Sequence, residues 1–529
     1  MRRLLLVLLM AFSFLSSATG SRSLDALEKY VDELPVPPHV LIAKSGAHKL
    51  TLILQQITQR LHRDLPETKE WGYQGSSPGP TIEVESGTKL SVRWKNELPS
   101  THLLPLPKNA DNISPDVRAV THLHGSDVYD YEPLDAVHNN DGWPDAWNVA
   151  GQSQIAVYPN ALSARTLWYH DHAMGTTGRN VAAGLIGLYE IHDAFERSLN
   201  LPRGRFEIPL ILQARGVNPD ASLFYTNDIG NEFYGNVVAV NGKLWPYVKV
   251  EPRKYRLRLL NASNARSYTL KLVDQKDKSP GPAFTQIGSD SGFLEYPVVL
   301  NDPSSAQPTR LTIAPAERMD FVVDFSKYPG QNFIMTNTSR DPGETEVEIP
   351  ELMQFQVAAS VSEPDTSSLP THLRSIQRLD PEKSDRSRLI VFDQMTMSDN
   401  STMLTLNGKS WRDPITESVH FGDTEVWQLA NTLTDTHPFH IHGVEFQVLD
   451  RRLFDVEAYL QTGQINYLAP AVQPYPNEMG WKDTVRVLPQ MITRIIMKFS
   501  LHPGYFIYHC HILEHEDMDM MRPYEILDH

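Results

Sequence analysis

The sequence predicts an all-β chain of three consecutive β-sandwich domains, on three observations. Proline (38 residues) outnumbers glycine (29), which favours loop-rich β structure over long helices. Apolar residues recur at every second position in short runs bounded by turn residues, the pattern of half-buried strands. One strand–turn–strand pattern is also written three times, ending at Asn96, Asn261 and Asn431, with intervals of 165 and 170 residues. Those intervals far exceed the repeats of solenoids, so the repeating unit is a whole domain. The length of 529 residues agrees, because a single hydrophobic core stops growing at about 250–300 residues.

Residues 1–20 read as a secretory signal peptide: Arg2 and Arg3, an apolar run from Leu4 to Leu15, then small residues to Ala18-Thr19-Gly20. The run is about twelve residues, too short to span a bilayer, and no stable membrane insertion is expected. A secreted, extracellular protein is expected, with the cell wall or a coat as a further address. Residues 40–195 form the first domain, where "PGPTIEVESGTKLSVRWKNELP" (Pro78 to Pro99) sets Ile82, Val84, Leu90, Val92 and Trp94 at strand spacing around Ser86-Gly87. Residues 196–375 form the second, with "LWPYVKVEPRKYRLRLLNAS" (Leu244 to Ser263) repeating the shape. It closes in "VSEPDTSSLPTHLRS" (Val361 to Ser375), a polar, Pro- and Ser-rich linker. Residues 376–529 form the third, with "DPITESVHFGDTEVWQLANT" (Asp413 to Thr432) turning at Gly422-Asp423.

Composition excludes some partners. The formal net charge of −16 argues against nucleic acid, whose phosphates reward clustered Lys and Arg, and tolerates cationic substrates, metal ions included. A monomer is expected. Asn112, Asn261, Asn337 and Asn400 lie in Asn-x-Ser/Thr sequons, candidate glycan acceptors.

The 20 histidines are unevenly placed: none lies between His192 and His372, so the middle domain reads as a spacer that lets the outer two meet. Four His-x-His pairs occur, His122/His124, His170/His172, His440/His442 and His509/His511. Residues i and i+2 of a strand share a face, so each pair can present two imidazoles to one metal site. A single pair in a β-rich chain is ordinarily incidental; four, two in each outer domain, point to a shared site. Cys510 is the only cysteine, so no intrachain disulfide is possible, and it is either a buried hydrophobe or a reserved ligand. Met520 taken alone fits core packing. Together, however, Cys510, His515 and Met520 lie five residues apart, and His437 precedes His440 by three. Two His, one Cys and a weak axial Met form the ligand set of a blue-copper electron-transfer centre. Zinc does not need the thioether, and one Cys cannot hold an iron–sulfur cluster. Because His509 and His511 face one side of a strand and Cys510 the other, one tripeptide can touch two metal sites and join them covalently.

The stretches "HLHG", "WYHDHAMG", "HPFHIHG" and "HCHILEHEDMDMM" together resemble the four copper motifs of the multicopper oxidases. The likeness is nearest to the bacterial spore-coat laccase branch, through "IGSDSGFL", "APAERMDFVVDF", "GWKDTVRVLP" and "HILEHED"; bilirubin oxidases and plant low-phosphate-root ferroxidases are more distant relatives. The resemblance implies cupredoxin-like Greek-key sandwiches and four copper ions per chain. It implies a type 1 copper at His437, Cys510 and His515 with Met520 axial, which sets a moderate reduction potential. It implies a type 2 copper at His122 and His440, and a type 3 pair at His124, His170 and His511 on one ion and His172, His442 and His509 on the other. Electrons would be accepted through a partly exposed His515, with Asp141 and Glu516 as proton-delivery groups. Taken alone, Asp141 reads as a turn residue before Gly142 and Glu516 as a surface acid. The spore-coat relatives have a Cys pair near the substrate site; this chain has none, so its lid over the type 1 copper should differ.

The implied reaction is one-electron oxidation of a small reducing substrate, four times over, with dioxygen reduced to two waters. Phenols, aromatic amines or bilirubin-like pigments are the leading substrates. A metallo-oxidase acting on Fe(II), Cu(I) or Mn(II) is the alternative, motivated by Asp435, two residues before His437 and otherwise a loop acid, with Glu232 a weaker partner. Met395, Met397 and Met403 would suit Cu(I) but read better as strand packing. A non-catalytic copper carrier or coat protein is disfavoured because no strong ligand is missing.

Overall fold

The computed structural model describes residues 23–42, 48–105, 116–127, 142–226, 232–302, 304–305, 309–339, 348–396 and 402–528. The signal segment 1–20, Asp141, Met397 and the sequons at Asn112 and Asn400 lie outside the described residues. No helix among the described residues is long and apolar enough to cross a membrane.

Among the described residues six sheets form three pairs along the chain, each pair sharing one core. The sequence repeat is also a topological repeat. Gly79–Glu85, Tyr247–Val250 and Glu417–His420 each pair in parallel with the last strand of their unit, Ile186–His192, Glu351–Val357 and Met521–Leu527. After the turn the chain crosses to the opposite sheet. There Leu90–Glu97, Lys254–Asn261 and Thr424–Asn431 pair in parallel with the earlier strands His48–Gln59, Glu207–Arg215 and Arg386–Thr396. Parallel partners reached by crossing between sheets are the mark of a Greek-key sandwich rather than of hairpins.

The recurring asparagine has a physical cause. Oδ1 of Asn96, Asn261 and Asn431 accepts the backbone N–H two residues on, from Leu98 (3.0 Å), Ser263 (3.0 Å) and Leu433 (2.8 Å). This Asx turn ends the strand and supplies a partner for a buried backbone donor. All three side chains are buried, so the Asn261 sequon is a structural turn, not a glycan acceptor. Asn337 is buried too, its Oδ1 accepting from Thr269 and Ser339, which removes a second expected acceptor.

Each sandwich has its own core: Trp71, Trp94 and Tyr169 in the first, Leu257, Phe321 and Phe355 in the second, Trp427, Phe439 and Tyr508 in the third. The Val361 to Ser375 stretch has no regular structure but is fastened: Asp365 receives Lys254 N, Arg374 meets Asp193, and Leu373 is buried.

Candidate metal centres

The first domain sets Thr121–His124 antiparallel to Arg165–Asp171 with His122 opposite His170; the third sets His437–Ile441 antiparallel to Gly504–Cys510 with His440 opposite His509. Each outer domain thus offers four imidazoles on neighbouring strands. They meet across the domain boundary, where His124 stacks on His440 (centroids 3.6 Å, interplanar 15°) and His122 on His442 (3.9 Å, 15°). All eight rings are buried.

Hydrogen bonds fix which nitrogen each ring turns inward. His440 Nδ1 donates to the Asp483 carbonyl (2.8 Å), His170 Nδ1 to the Asp171 carbonyl (2.8 Å) and His509 Nδ1 to the Cys510 carbonyl (3.0 Å). His124 is turned the other way, its Nε2 on Asp483 Oδ1 (3.1 Å). The inward atoms, His440 Nε2, His170 Nε2 and His124 Nδ1, have no hydrogen-bond partner among the described residues. His509 Nε2 lies 3.2 Å from His442 Nε2 and 3.4 Å from His172 Nε2. Bare lone pairs converging in a dry interior are costly unless a cation takes them up. Burial holds the imidazoles of His124, His170, His172, His440, His442 and His511 well below the ordinary histidine pKa, in the neutral form that binds metals.

The second centre lies on the other face of the same strand. His437 Nδ1 is 3.4 Å and His515 Nδ1 3.8 Å from Cys510 Sγ, all three buried. Met520 is buried beside them, its backbone tied to both: Cys510 N donates to Met520 O (3.0 Å) and Met520 N to His515 O (2.9 Å). Burial pushes the Cys510 thiol well up and lowers His515 to about 3, so the thiolate would form only with a bound cation. The tripeptide divides as expected: Cys510 faces His437 and His515, while His509 and His511 join the eight-imidazole cluster.

Several expectations need correction. His515 is buried rather than partly exposed, and Glu232 of the middle domain lies beside it, Oε1 3.4 Å from Nε2. Glu232, the weaker candidate, is therefore the carboxylate at this ring, whereas the Asp435 side chain turns to Thr434 Oγ1 (3.4 Å). Half-burial raises the Asp435 pKa. Glu516 is not a surface acid: it is buried with Oε2 3.1 Å from His509 Nδ1 and Oε1 3.6 Å from His172 Nε2. Burial pushes its pKa up, but His172 and His509 outweigh burial and hold it below the usual carboxylate range. Asp141 lies outside the described residues; its neighbour Gly142 packs so tightly on His122 that a Cβ would lie 2.5 Å from the His122 Cβ. Among the methionines, Met395 and Met403 oppose each other on adjacent strands, but Met395 is exposed and Met403 only partly buried, so core packing does not account for the pair.

The middle sandwich is more than a spacer. Besides Glu232 it contributes Tyr225 and Asn264, which hold Glu514 Oε1 at 2.6 and 2.7 Å, while Phe233 N donates to Glu514 Oε2 (3.2 Å). It also contributes Arg318, on Asp483. Sequence reading missed these because single side chains, Tyr225 and Asn264 in loops and Arg318 on a strand, carry no spacing signature. Asp483 and Arg318 do fall within "GWKDTVRVLP" and "APAERMDFVVDF", where a buried-strand context around a charge was the available signal.

A three-sandwich fold enclosing one eight-imidazole cluster and one His–Cys–His set on adjoining residues defines the class of oxidases that use several coppers. The multicopper oxidase family model matches residues 382–529. A laccase of Bacillus subtilis (strain 168) is 40% identical over 530 residues, spanning 95% of this chain and 99% of its own. A bilirubin oxidase of Albifimbria verrucaria is 34% identical over 479 residues, spanning 88% of this chain and 74% of its own. Among solved structures, the McoA multicopper oxidase of Aquifex aeolicus matches with a TM-score of 0.77 at 25% identity, covering 94% of this chain and 100% of that one. The chain belongs to the multicopper oxidase family and is a laccase-type oxidoreductase with cupredoxin-like domains.

Proposed function

We propose that the chain couples oxidation of phenols, aromatic amines or bilirubin-like pigments to four-electron reduction of dioxygen to water, with four coppers bound. His437, Cys510, His515 and Met520 would hold the type 1 ion and His122 and His440 the type 2. His124, His170 and His511 would hold one type 3 ion, and His172, His442 and His509 the other. Bound copper supplies one-electron redox chemistry at the thiolate site and dioxygen binding at the three-ion site. The observation that carries this reading is the His509-Cys510-His511 tripeptide, which faces both ligand sets and joins them through two peptide units. His515 turns Nε2 toward the Glu232 side, marking where an electron would be accepted. Glu516 Oε2, 3.1 Å from His509 Nδ1, is placed to accept and pass on protons for the reduction of dioxygen.

The apolar run in residues 1–20 supports export, and we read the enzyme as a secreted monomer. A second reading, oxidation of Fe(II), Cu(I) or Mn(II), is favoured by the Glu232 carboxylate at His515, which would attract a cation. An oxygen electrode with a phenol, bilirubin and Fe(II) in turn separates them. The organic reading predicts phenol or bilirubin turnover that Glu232→Gln leaves within about threefold. Loss of Fe(II) turnover in Glu232→Gln, with phenol turnover kept, would establish the metal-ion reading. A copper-loaded protein that is not blue would refute both.

A further inference from the structure

We propose that Arg318 of the middle sandwich is a positioning residue for the eight-imidazole cluster, acting through Asp483; this rests on reading that cluster as a copper site. Asp483 grips one histidine from each outer domain. Its side-chain Oδ1 lies 3.1 Å from His124 Nε2, and its backbone carbonyl accepts from His440 Nδ1 at 2.8 Å. These two rings form one of the two pairs stacked across the domain boundary. Fixing their outer nitrogens decides which inner nitrogens, His124 Nδ1 and His440 Nε2, point at the shared space.

Asp483 is in turn held by an arginine with every donor in use. Arg318 Nη1 donates to Asp483 Oδ1 (2.8 Å) and to Ala316 O (2.9 Å). Nη2 donates to Asp483 Oδ2 and to Asp290 O (3.2 Å), and Nε donates to Thr166 O (3.1 Å) of the first sandwich. A guanidinium has five N–H donors, and here five acceptors from all three sandwiches take them. The fork engages both oxygens of Asp483, so the carboxylate cannot rotate away from His124; a lysine, with a single ammonium, offers no such fork.

A second observation places this pair against the histidine backbone. Gly125 follows His124 at φ +85°, and a Cβ there would lie 2.5 Å from Asp483 Oδ2 and 2.8 Å from Arg318 Nη2. The glycine of the His-Leu-His-Gly stretch is therefore required by the ion pair as well as by its own backbone conformation. Lys482, bound to Asp290 (2.8 Å) and Glu317 (3.0 Å), extends the same junction.

The test compares Arg318→Lys and Asp483→Asn with Arg451→Lys, which alters another buried bidentate pair, Arg451 with Glu478 (2.8 and 2.7 Å). Copper-loaded proteins are titrated with a chelator, following the non-blue mononuclear copper resonance by electron paramagnetic resonance and the blue absorbance of the Cys510 site in the same sample. Arg318→Lys and Asp483→Asn should lose the non-blue copper at about 10–100-fold lower chelator concentration than wild type, the usual cost of losing a partner behind a metal ligand. Their blue absorbance, and both signals in Arg451→Lys, should titrate as in wild type. Equal loss of both signals in Arg318→Lys, or the same loss in Arg451→Lys, would assign the arginine to general stability and overturn the proposal. Wild-type retention of non-blue copper in Asp483→Asn would also overturn it. A wild-type protein with no non-blue copper would instead overturn the reading of the cluster itself.

Discussion

Replacing Asn431 by alanine should weaken the third sandwich and disturb the thiolate site together, whereas the same change at Asn96 or Asn261 should only weaken the fold. Asn431 makes three hydrogen bonds in a dry setting: Leu433 N to Oδ1 at 2.8 Å, and Nδ2 to the Asp435 and Val487 carbonyls at 2.8 and 3.0 Å. Each is worth about 1 kcal/mol net, and buried groups left without a partner add to the loss, giving about 3–4 kcal/mol. That is roughly a hundred- to a thousandfold in the unfolding constant. Asn261 also makes three such bonds and should cost about as much; Asn96 makes two and should cost about 2 kcal/mol. Only Asn431 holds a carbonyl two residues before His437, so only this variant should shift the blue absorption band and release its copper more readily. Guanidinium titration by tryptophan fluorescence, with the visible spectrum recorded on the same samples, measures both effects. An unshifted transition in Asn431→Ala, or equal spectral change in all three variants, would refute the reasoning.

Cys510→Ser should remove the intense blue band and abolish turnover while the eight-imidazole cluster keeps its copper, measured by metal analysis. Glu516→Gln should slow dioxygen reduction by about a hundredfold, the usual weight of a proton-transfer group, with the rate of anaerobic bleaching of the blue band by a phenol unchanged. Glu478 supplies the pH test: burial raises its pKa, but Arg451 outweighs burial and holds it at about 2, against 4.5 unperturbed. A depressed carboxyl stabilises the fold fully above the unfolded value and loses that contribution as pH falls from about 4.5 toward 2. Glu478→Gln should therefore flatten the acid limb of the denaturation midpoint while costing about 3–5 kcal/mol at neutral pH, because Arg451 is left buried without its partner.

What the sequence disclosed follows the range over which its signals act. Strand alternation and His-x-His spacing are local, set by neighbours two residues apart, so the repeated strands and all four histidine pairs could be read directly. The asparagines that close the repeats were visible, but their Asx turns were not, and two of the sequons proved to be buried turn or strand residues. Glu232 over His515 and Arg318 on Asp483 are contacts between residues far apart in the chain, made by single side chains crossing a domain boundary. No periodicity marks such a contact.

The middle sandwich, which adds no histidine to either cluster, explains why three domains serve a site built by two. Arg258 meets Glu190 of the first sandwich (3.4 Å) and Glu207 of the second (2.6 Å), and Arg318 meets Asp483 of the third; all are buried except Glu207, which is partly exposed. Buried ion pairs are poor sources of stability, because removing both charges from water offsets most of their attraction. Their geometry is nevertheless strict, since a misaligned pair forfeits the attraction and keeps the desolvation cost. Apolar contacts alone would hold the outer sandwiches together while tolerating small slides between them. A slide of about 1 Å would spoil the convergence of nitrogens contributed by both sides. Directional pairs running through a third body resist that slide, so a domain that adds no histidine to either cluster helps keep His124 and His440 in register.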